Sequence, residues 1–369
     1  MLSNDEKGIT MEDRKRVAYL DLIKVIAIYL VCFYHFNNLD INIITNASFL
    51  TYMAYFFKGI ASTCVPLFFV VNGALLLNGN YDTKKHIKKT ITIIALTVIW
   101  GVITLFILAP IMGDHYTVKE FISALWHWKQ GRINHLWFMT TIACIYLFFP
   151  LIKAAYQKDN KSALYYFLVV VFIFTFGNTL LNNAKDIGQW VLNINIIGSD
   201  INFFNKFNAF SGFYGYSLVY FILGGLLFAE IKDQKLKLSK PVIFAVFSAG
   251  TGALFVYGII MCWSSKAAYD TVWNGYDTIM TLAMTIAIFV LVSKCAIKSR
   301  LIELISTNTL GIYFVHVIIG FAVDPYYKYL SFSGNFFVNL LYPASIMFVS
   351  LGIVIVLKKV PVLKLLFKI

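Results

Sequence analysis

Long apolar runs separated by short polar connections dominate the pattern of residues along this chain. The runs are about 20 residues long, the length that a helix needs to cross the hydrocarbon core of a bilayer. They lack the alternation of polar and apolar positions that marks a membrane β-barrel. The pattern therefore predicts an all-α polytopic membrane protein with about ten transmembrane helices. The predicted spans are residues 17–37, 54–77, 90–112, 135–155, 164–181, 212–230, 241–262, 274–294, 305–323 and 336–357.

Lysine and arginine divide unequally between alternate connections of these spans. One set of connections holds 22 of the 31 cations, whereas the other set holds 7. The cation-rich set consists of residues 1–16, 78–89, 153–163, 231–240, 294–300 and 358–369. Because cytoplasmic loops carry the excess of positive charge, this bias predicts that both termini are cytoplasmic. The chain then divides into an N-terminal segment 1–16, a membrane domain 17–357 and a basic tail 358–369.

Composition narrows the classes of function. Hydrophobic residues make up 59% of the chain and charged residues 13%, while soluble proteins carry about 25% charged residues. Topology accounts for most of the formal net charge of +13, so we expect membrane lipid and no nucleic acid as a partner. The five cysteines lie in apolar runs without zinc-ligand spacing, and we expect no metal site. The first run lacks a cleavage site and is interpreted as a retained helix.

Ionisable side chains in the first span are the leading functional candidates. Asp21, Lys24 and His35 all fall inside it, and each such residue costs roughly 2.5–3.5 kcal/mol at the centre of a membrane helix. Asp21 and Lys24 are three residues apart and can pair on one face, which is also their purely structural interpretation. Lys24 and His35 share a face about 16 Å apart along the helix axis. His35 alone is equally compatible with a helix–helix hydrogen bond.

The second span and the connection after it combine a kink, a polar residue and a basic cluster. The run PLFFVVNGALLL contains Pro66 and Asn72. Four lysines follow it: Lys84, Lys85, Lys88 and Lys89. This lysine cluster is either ordinary cytoplasmic positive charge or a phosphate-binding patch, because clustered ammonium groups neutralise phosphates.

Further histidines occur in the fourth and ninth spans. His135 and Trp137 open the fourth span, and the ninth contains Tyr313 and His316. The predicted topology places the histidines of three spans at overlapping depths. The outer connection 182–211 holds seven asparagines and four phenylalanines. It is either a solvated loop with interfacial aromatic residues or a surface for a polar, ring-shaped ligand such as a sugar.

These motifs, in this order, resemble those of the acyltransferase 3 family of integral membrane O-acyltransferases, which modify cell-surface sugars. The first span, YLDLIKVIAIYLVCFYHF, resembles the family's opening signature of an acidic residue, a basic residue and, after ten positions, a histidine. PLFFVVNGALLL, the lysine cluster, HLWFMTTIACIYLFFP and NTLGIYFVHVII resemble four later motifs. The resemblance covers residues 17 to about 357. Lysine replaces the family's usual arginine at Lys24 and in the lysine cluster, and Asn72 stands where serine is commoner.

The resemblance implies an acyl-CoA donor, most commonly acetyl-CoA, in the cytoplasm. It implies a cell-surface glycan or lipid-linked sugar as the acceptor on the outer side of a plasma membrane, as in bacteria. His35 would be the catalytic base or a transient acyl acceptor, and Asp21 would orient or neutralise Lys24. The donor would be bound by Lys24, Lys84, Lys85, Lys88 and Lys89. The acceptor would meet Asn72, His135, Trp137, Tyr313 and His316.

Two other classes of function stay open at this point. One is an exporter or flippase of a surface polysaccharide or its precursor, which needs alternating access and no acyl donor. The other is a structural subunit of a surface-polymer assembly. The sequence also leaves the acyl group and a homo-oligomeric state open.

Overall fold

The computed structural model describes residues 16–128, 132–158, 160–194, 200–295 and 297–368, and within these ranges the chain is helical with no strand. The helices are α1 (Ala18–His35), α2 (Phe49–Ile60), α3 (Cys64–Leu77), α4 (Thr83–Ile111), α5 (Val118–His127), α6 (Trp137–Gln157), α7 (Ser162–Phe172), α8 (Asn178–Leu192), α9 (Tyr216–Lys232), α10 (Lys240–Ser265), α11 (Ile279–Ser293), α12 (Arg300–Lys328), α13 (Phe336–Leu357) and α14 (Pro361–Lys364).

Every predicted span contains a helix, and the all-α polytopic membrane class is confirmed. Eight of the described helical segments are long and apolar enough to cross a bilayer. The predicted sixth and eighth spans correspond to α9, with 17 residues, and α11, with 15 residues. At 1.5 Å per residue α11 is only about 22 Å long, against a hydrocarbon core of about 30 Å. The count of ten spans and the side of each terminus therefore stay predictions.

Two spans differ in detail from their predicted form. The second is broken by a 3-10 turn, Ala61–Thr63, just before Pro66, whose missing N–H interrupts helical hydrogen bonding. The fifth continues to Leu192 instead of ending at residue 181, and it contains a π-helical turn at Ile173–Gly177. Its last part is amphipathic, so a prediction based on apolar residues alone ends this helix too early.

The packing of α3 against α9 forms the centre of the bundle. Both helices are apolar on all sides, as expected for helices enclosed by others. Gly73 of α3 lies against the carbonyl oxygen of Phe221, and Gly224 of α9 lies against that of Val70. A side chain at either glycine would overlap a backbone atom, so the glycines allow the closest approach of two backbones.

A buried lysine fixes the C-terminal end of α3. Lys153 of α6 is only 3% exposed, and its ammonium donates hydrogen bonds to the carbonyl oxygens of Leu77 and Gly79. A cation at a helix C-terminus satisfies carbonyl groups that have no partner within the helix. Lys153, predicted to lie in a cytoplasmic connection, thus belongs to the packed end of the bundle.

The outside of the bundle is apolar, as a lipid-facing surface requires. Phe106 of α4 is 72% exposed, Leu151 of α6 71% and Leu341 of α13 70%. The predicted basic tail packs back onto this bundle: the indole N–H of Trp100 donates to the carbonyl oxygen of Leu366, and Phe367 is buried.

The α3–α9 contact gives a direct test of the packing. We expect Gly224→Ala to lower stability by about 1–3 kcal/mol, because the new methyl group must displace the backbone of α3. The matched control is Gly252→Ala in α10, where an added Cβ meets nothing within 4 Å. This control should be neutral or slightly stabilising, since alanine favours helix more than glycine does. Thermal unfolding in detergent distinguishes them, and equal melting temperatures for the two variants would contradict the packing.

Candidate active site

A cavity of about 470 Å³ opens at the end of the bundle where α1 ends and where α3 and α6 begin. This end carries the connections with few cations and is therefore the predicted outer side. Aromatic and histidine side chains form most of its walls. The lining residues are Val31, Tyr34, His35, Cys64, Val65, Trp128, Asn134, His135, Trp137, Phe138, Tyr214, Trp273, Tyr276 and Tyr313.

His35 is the last residue of α1 and presents its ring to this cavity. The residue is exposed, although its neighbours Phe33 and Phe36 are buried. Within the described ranges neither ring nitrogen of His35 has a hydrogen-bond partner. Phe36, the next residue, lies on the surface of α12 at Gly320 and fixes the end of α1. The imidazole is therefore held by its backbone and is free to bind a ligand in the cavity.

Two more histidines lie beside His35. The ring centre of His316 is 5.6 Å from that of His35 and 6.3 Å from that of His135. His316 is fully buried, and its Nδ1 donates a 2.6 Å hydrogen bond to the carbonyl oxygen of Tyr313. Its Nε2 and the Nε2 of His135 are buried without a partner in the described residues. In the neutral tautomer Nε2 of His316 thus carries a lone pair and can accept a proton.

A carboxylate that the sequence analysis did not single out lies on the other side of His35. Tyr34 donates a 2.9 Å hydrogen bond to Oδ2 of Asp270. The Lys58 ammonium lies 5.7 Å from the centre of the Tyr34 ring. Asp270 and Lys58 are both close enough to His35 to act on its charge. The imidazole of His35 therefore lies near one negative and one positive side chain at the end of a membrane helix.

Five aromatic rings form the wall opposite the histidines. The ring of Trp137 lies 4.8 Å from Tyr214, 5.3 Å from Trp273 and 5.7 Å from Tyr276, measured between ring centres. Trp128, the fifth ring, packs near Gly101 of α4. Aromatic faces combined with hydrogen-bonding edges suit a ligand with both apolar and polar surfaces.

An ion pair fixes the segment that carries Trp128. Arg132 donates a 2.8 Å hydrogen bond from Nε to Asp114, which joins the two ends of the connection between α4 and α6. This contact from the Arg132 guanidinium holds the pKa of Asp114 below its usual value. The pair thereby stays ionised at neutral pH.

Several predicted site residues come together in this cavity, and others do not. His35, His135, Trp137 and Tyr313 line it, and His316 lies directly behind. Tyr313 also donates a short hydrogen bond to the carbonyl oxygen of His135, which joins α12 to the start of α6.

Asn72 lies elsewhere in the bundle. Its amide donates to the carbonyl oxygen of Phe68 in its own helix, and it does not line the cavity. At 1.5 Å per residue it is about 12 Å along α3 from Cys64, which does line it. Cys64 lies near Cys32 of the antiparallel α1, so Asn72 is at the depth of Lys24. Its predicted role at the acceptor stays a prediction.

Asp21 is at the opposite end of α1, about 21 Å along the axis from His35. Its carboxylate accepts hydrogen bonds from Arg16 and from Ser306 of α12. Arg16 also donates to Glu303 at 2.7 Å. The predicted Asp21–Lys24 ion pair is therefore not the contact that the structure contains. Arg16 pairs with Asp21 in place of Lys24. Arg16, which the sequence analysis assigned to the N-terminal segment, precedes α1, so its guanidinium reaches Asp21 while staying partly exposed to solvent.

The lysine cluster occupies the first turns of α4. Lys84, Lys85 and Lys88 are exposed, while the Lys89 ammonium lies 5.7 Å from the centre of the Tyr146 ring. His86, between them, is buried and donates to the carbonyl oxygen of Tyr146 at 2.8 Å. Tyr146 is about 14 Å along α6 from Trp137 in the cavity wall. The lysine cluster thus lies at the start of α4, beside the middle of α6.

A family model described as an acyltransferase domain matches residues 17–359, nearly the whole chain. The chain belongs to the acyltransferase 3 family. Searches of curated proteins and of solved structures found no match. The protein is therefore a membrane acyltransferase, and the cavity around His35 is its candidate active site.

Sequence reasoning missed Asp270, Trp273, Tyr276 and Tyr214 of this acyltransferase. All four come from connections or from the first residues of a predicted span, where no periodic pattern marks a side chain. The available signal was the close spacing of Trp273, at the end of an outer connection, and Tyr276, near the start of the eighth predicted span.

Selective chemical labelling tests the different settings of the histidines. Diethyl pyrocarbonate carbethoxylates accessible neutral imidazoles. We expect it to modify His35, which opens to the cavity, and to spare His316, which is 0% exposed. Peptide mass spectrometry of the protein in detergent reads both sites in one sample, and exposed His127 is the positive control. Equal labelling of His35 and His316, or labelling of His316 alone, would show that the cavity is built differently.

Proposed function

We propose that this acyltransferase moves an acyl group, most simply acetyl, from acyl-CoA to a hydroxyl group of an extracytoplasmic glycan. The observation that carries the proposal is the position of His35. Its unpartnered imidazole lies in a cavity with aromatic walls, at the end of the bundle opposite the Arg16–Asp21 pair. We place the protein in a plasma membrane, with acyl-CoA, lipid and a glycan or lipid-linked sugar as its partners.

The proposed reaction needs one base. The acceptor oxygen attacks the thioester carbonyl while His35 removes the hydroxyl proton, so that a C–O bond forms. The tetrahedral intermediate collapses with cleavage of the C–S bond, and the proton from His35 passes to the leaving thiolate to give CoA. A histidine suits both proton transfers because its ordinary pKa lies close to physiological pH. The ring of His316 packs beside that of His35, with 5.6 Å between the ring centres.

The donor side is supported by charge and depth. The lysine cluster places four ammonium groups around the start of α4, where the carboxylate of Asp82 caps the helix by accepting from the N–H of Lys85. Four ammonium groups against one carboxylate leave a positive patch that favours a phosphate group. Because this patch and the cavity are about 14 Å apart along α6, the flexible arm of CoA can extend from the lysine cluster toward His35.

The acceptor side is supported by the aromatic wall. Tyr214 and Trp273 are 38% and 43% exposed, so their rings are open to a ligand from the outer end. Sugar rings have apolar C–H faces that stack on aromatic side chains and hydroxyl groups that bond to polar ones. Asn134, His135 and the hydroxyl groups of Tyr34 and Tyr276 supply polar partners in the same cavity.

The role of His35 is tested by His35→Ala in vesicles that receive radiolabelled acetyl-CoA on the cytoplasmic face. We expect transfer of label to glycan to fall by at least about 100-fold, the usual effect of losing a general base. His127→Ala removes an exposed imidazole that does not line the cavity and should leave transfer unchanged. Transfer by His35→Ala at the control rate would assign the base elsewhere, with His316 and His135 as the next variants.

The donor site is tested by replacing Lys84, Lys85 and Lys88 together with glutamine. We expect the KM for acetyl-CoA to rise roughly tenfold, which corresponds to about 1.4 kcal/mol of binding, while kcat changes little. The matched control replaces Lys235, Lys237 and Lys240, three exposed lysines around the start of α10. An equal rise in KM for both triple variants would indicate general electrostatic attraction instead of a donor site at α4.

A further inference from the structure

A second cavity adjoins the first on the far side of Tyr214. Its volume is about 180 Å³, and Tyr214 lines both cavities. Tyr276 lines the first and its neighbour Asp277 lines the second. Tyr214 and the adjacent residues Tyr276 and Asp277 therefore form part of the wall between the two cavities.

The lining of the second cavity is polar, unlike the aromatic wall of the first. Amide, hydroxyl and carboxylate groups converge on it from four parts of the chain: Asn178 and Thr179, Asn205 and Asn208, Ser211, and Asp277. Thr179 donates a 2.6 Å hydrogen bond to Oδ2 of Asp277, which ties α8 to the connection before α11. Asp277 is half-buried and is the only ionisable group apart from tyrosines among the described lining residues.

This chemistry selects the kind of ligand. Amides and hydroxyl groups both donate and accept hydrogen bonds, as a ligand with several hydroxyl groups requires. The carboxylate accepts from hydroxyl groups and repels phosphate, and no lysine or arginine is among the described residues that line the cavity. The site thus favours a neutral sugar unit over a phosphate or sulfate group.

The backbone around the cavity is also irregular. Tyr214 has φ 61° and ψ 62°, in the left-handed region that is costly for a residue with a side chain. Such strain, about 1–3 kcal/mol, persists where surrounding contacts hold it, often at ligand-binding sites. The π-helical turn Ile173–Gly177 contributes Phe174 and Thr175 to the same cavity, and π turns are frequent at functional sites.

The geometry points to a second sugar-binding subsite in this cavity, with Tyr214 between the two rings of one acceptor chain. The inference rests on the proposed function, because it presumes a glycan acceptor. The sugar that reacts lies beside His35, and a neighbouring neutral sugar of the same chain lies against Asp277 and Asn205. The protein then prefers a chain of two or more sugars to a single sugar.

The test compares acceptors of different length with the full chain in lipid nanodiscs. The probes are methyl glycosides of glucose, galactose, mannose and N-acetylglucosamine, each paired with a trisaccharide of the same sugar, with radiolabelled acetyl-CoA as the donor. We expect kcat/KM for the preferred trisaccharide to exceed that for its methyl glycoside by about tenfold or more. Asp277→Asn and Asn205→Ala should each remove most of this advantage and leave the rate with the methyl glycoside unchanged.

Asn202→Ala is the matched control, because Asn202 is an exposed asparagine of the same connection that does not line the cavity. Asn205 is exposed as well, so its replacement does not disturb the core. Transfer without a preference for the longer acceptor would overturn the second subsite but not the transferase activity. Equal losses of kcat/KM with both acceptor lengths in Asp277→Asn and Asn205→Ala would do the same. Absence of transfer to every sugar would overturn the glycan acceptor itself.

Discussion

An imidazole within a membrane bundle needs a polar partner or water, and His35 meets this need through the cavity at the end of α1. A polar side chain that is buried without a partner costs free energy, and in lipid that cost is hard to avoid. The bundle places Asp270, Lys58, His135 and His316 around His35, from an outer connection, α2, the turn before α6, and α12. The cavity is thus the condition under which an unpartnered histidine is tolerated at this end of the bundle.

The rest of the architecture maintains that cavity and separates it from the opposite end of the protein. The close contact of α3 with α9 sets the positions of Cys64 and Tyr214, which enter the cavity from the ends of these helices. α1 spans both regions, with Asp21 anchored to α12 through Ser306 at one end and His35 exposed at the other. Lys24 and the lysine cluster lie on the predicted cytoplasmic side of the cavity, so the predicted donor-binding residues and His35 occupy different depths.

Much of the fold followed from the length and spacing of apolar runs, because helices must satisfy their own backbone groups in lipid. The histidines and Tyr313 were also predictable, since an ionisable residue in a span is conspicuous and helical spacing gives its depth. The ion pair of Asp21 was not, because Arg16 lies before the helix and no periodicity orients it. The contact of Asn72 was not predictable either, because its amide bonds to a carbonyl group of its own helix.

The cavity residues that the sequence did not predict lie mostly in the connections between helices. Asp270, Trp273 and Tyr214 reach the cavity through turns whose course depends on tertiary contacts such as the hydrogen bond from Tyr34 to Asp270. The length of α11 was not predictable from the sequence either. The apolar run predicts a span over 274–294, whereas the helix has only 15 residues, because its length also depends on the helices packed around it.

The central claim is that acyl transfer takes place beside His35. The most direct measurement is a cryo-electron microscopy structure of the protein in nanodiscs with an acyl-CoA analogue whose thioester is replaced by a non-hydrolysable thioether. We expect the acyl end to lie within the His35 cavity with its reacting carbon beside the imidazole, and the CoA phosphates to contact the lysine cluster of α4. An acyl end outside this cavity, or phosphates bound at the outer end of the bundle, would show that transfer takes place elsewhere.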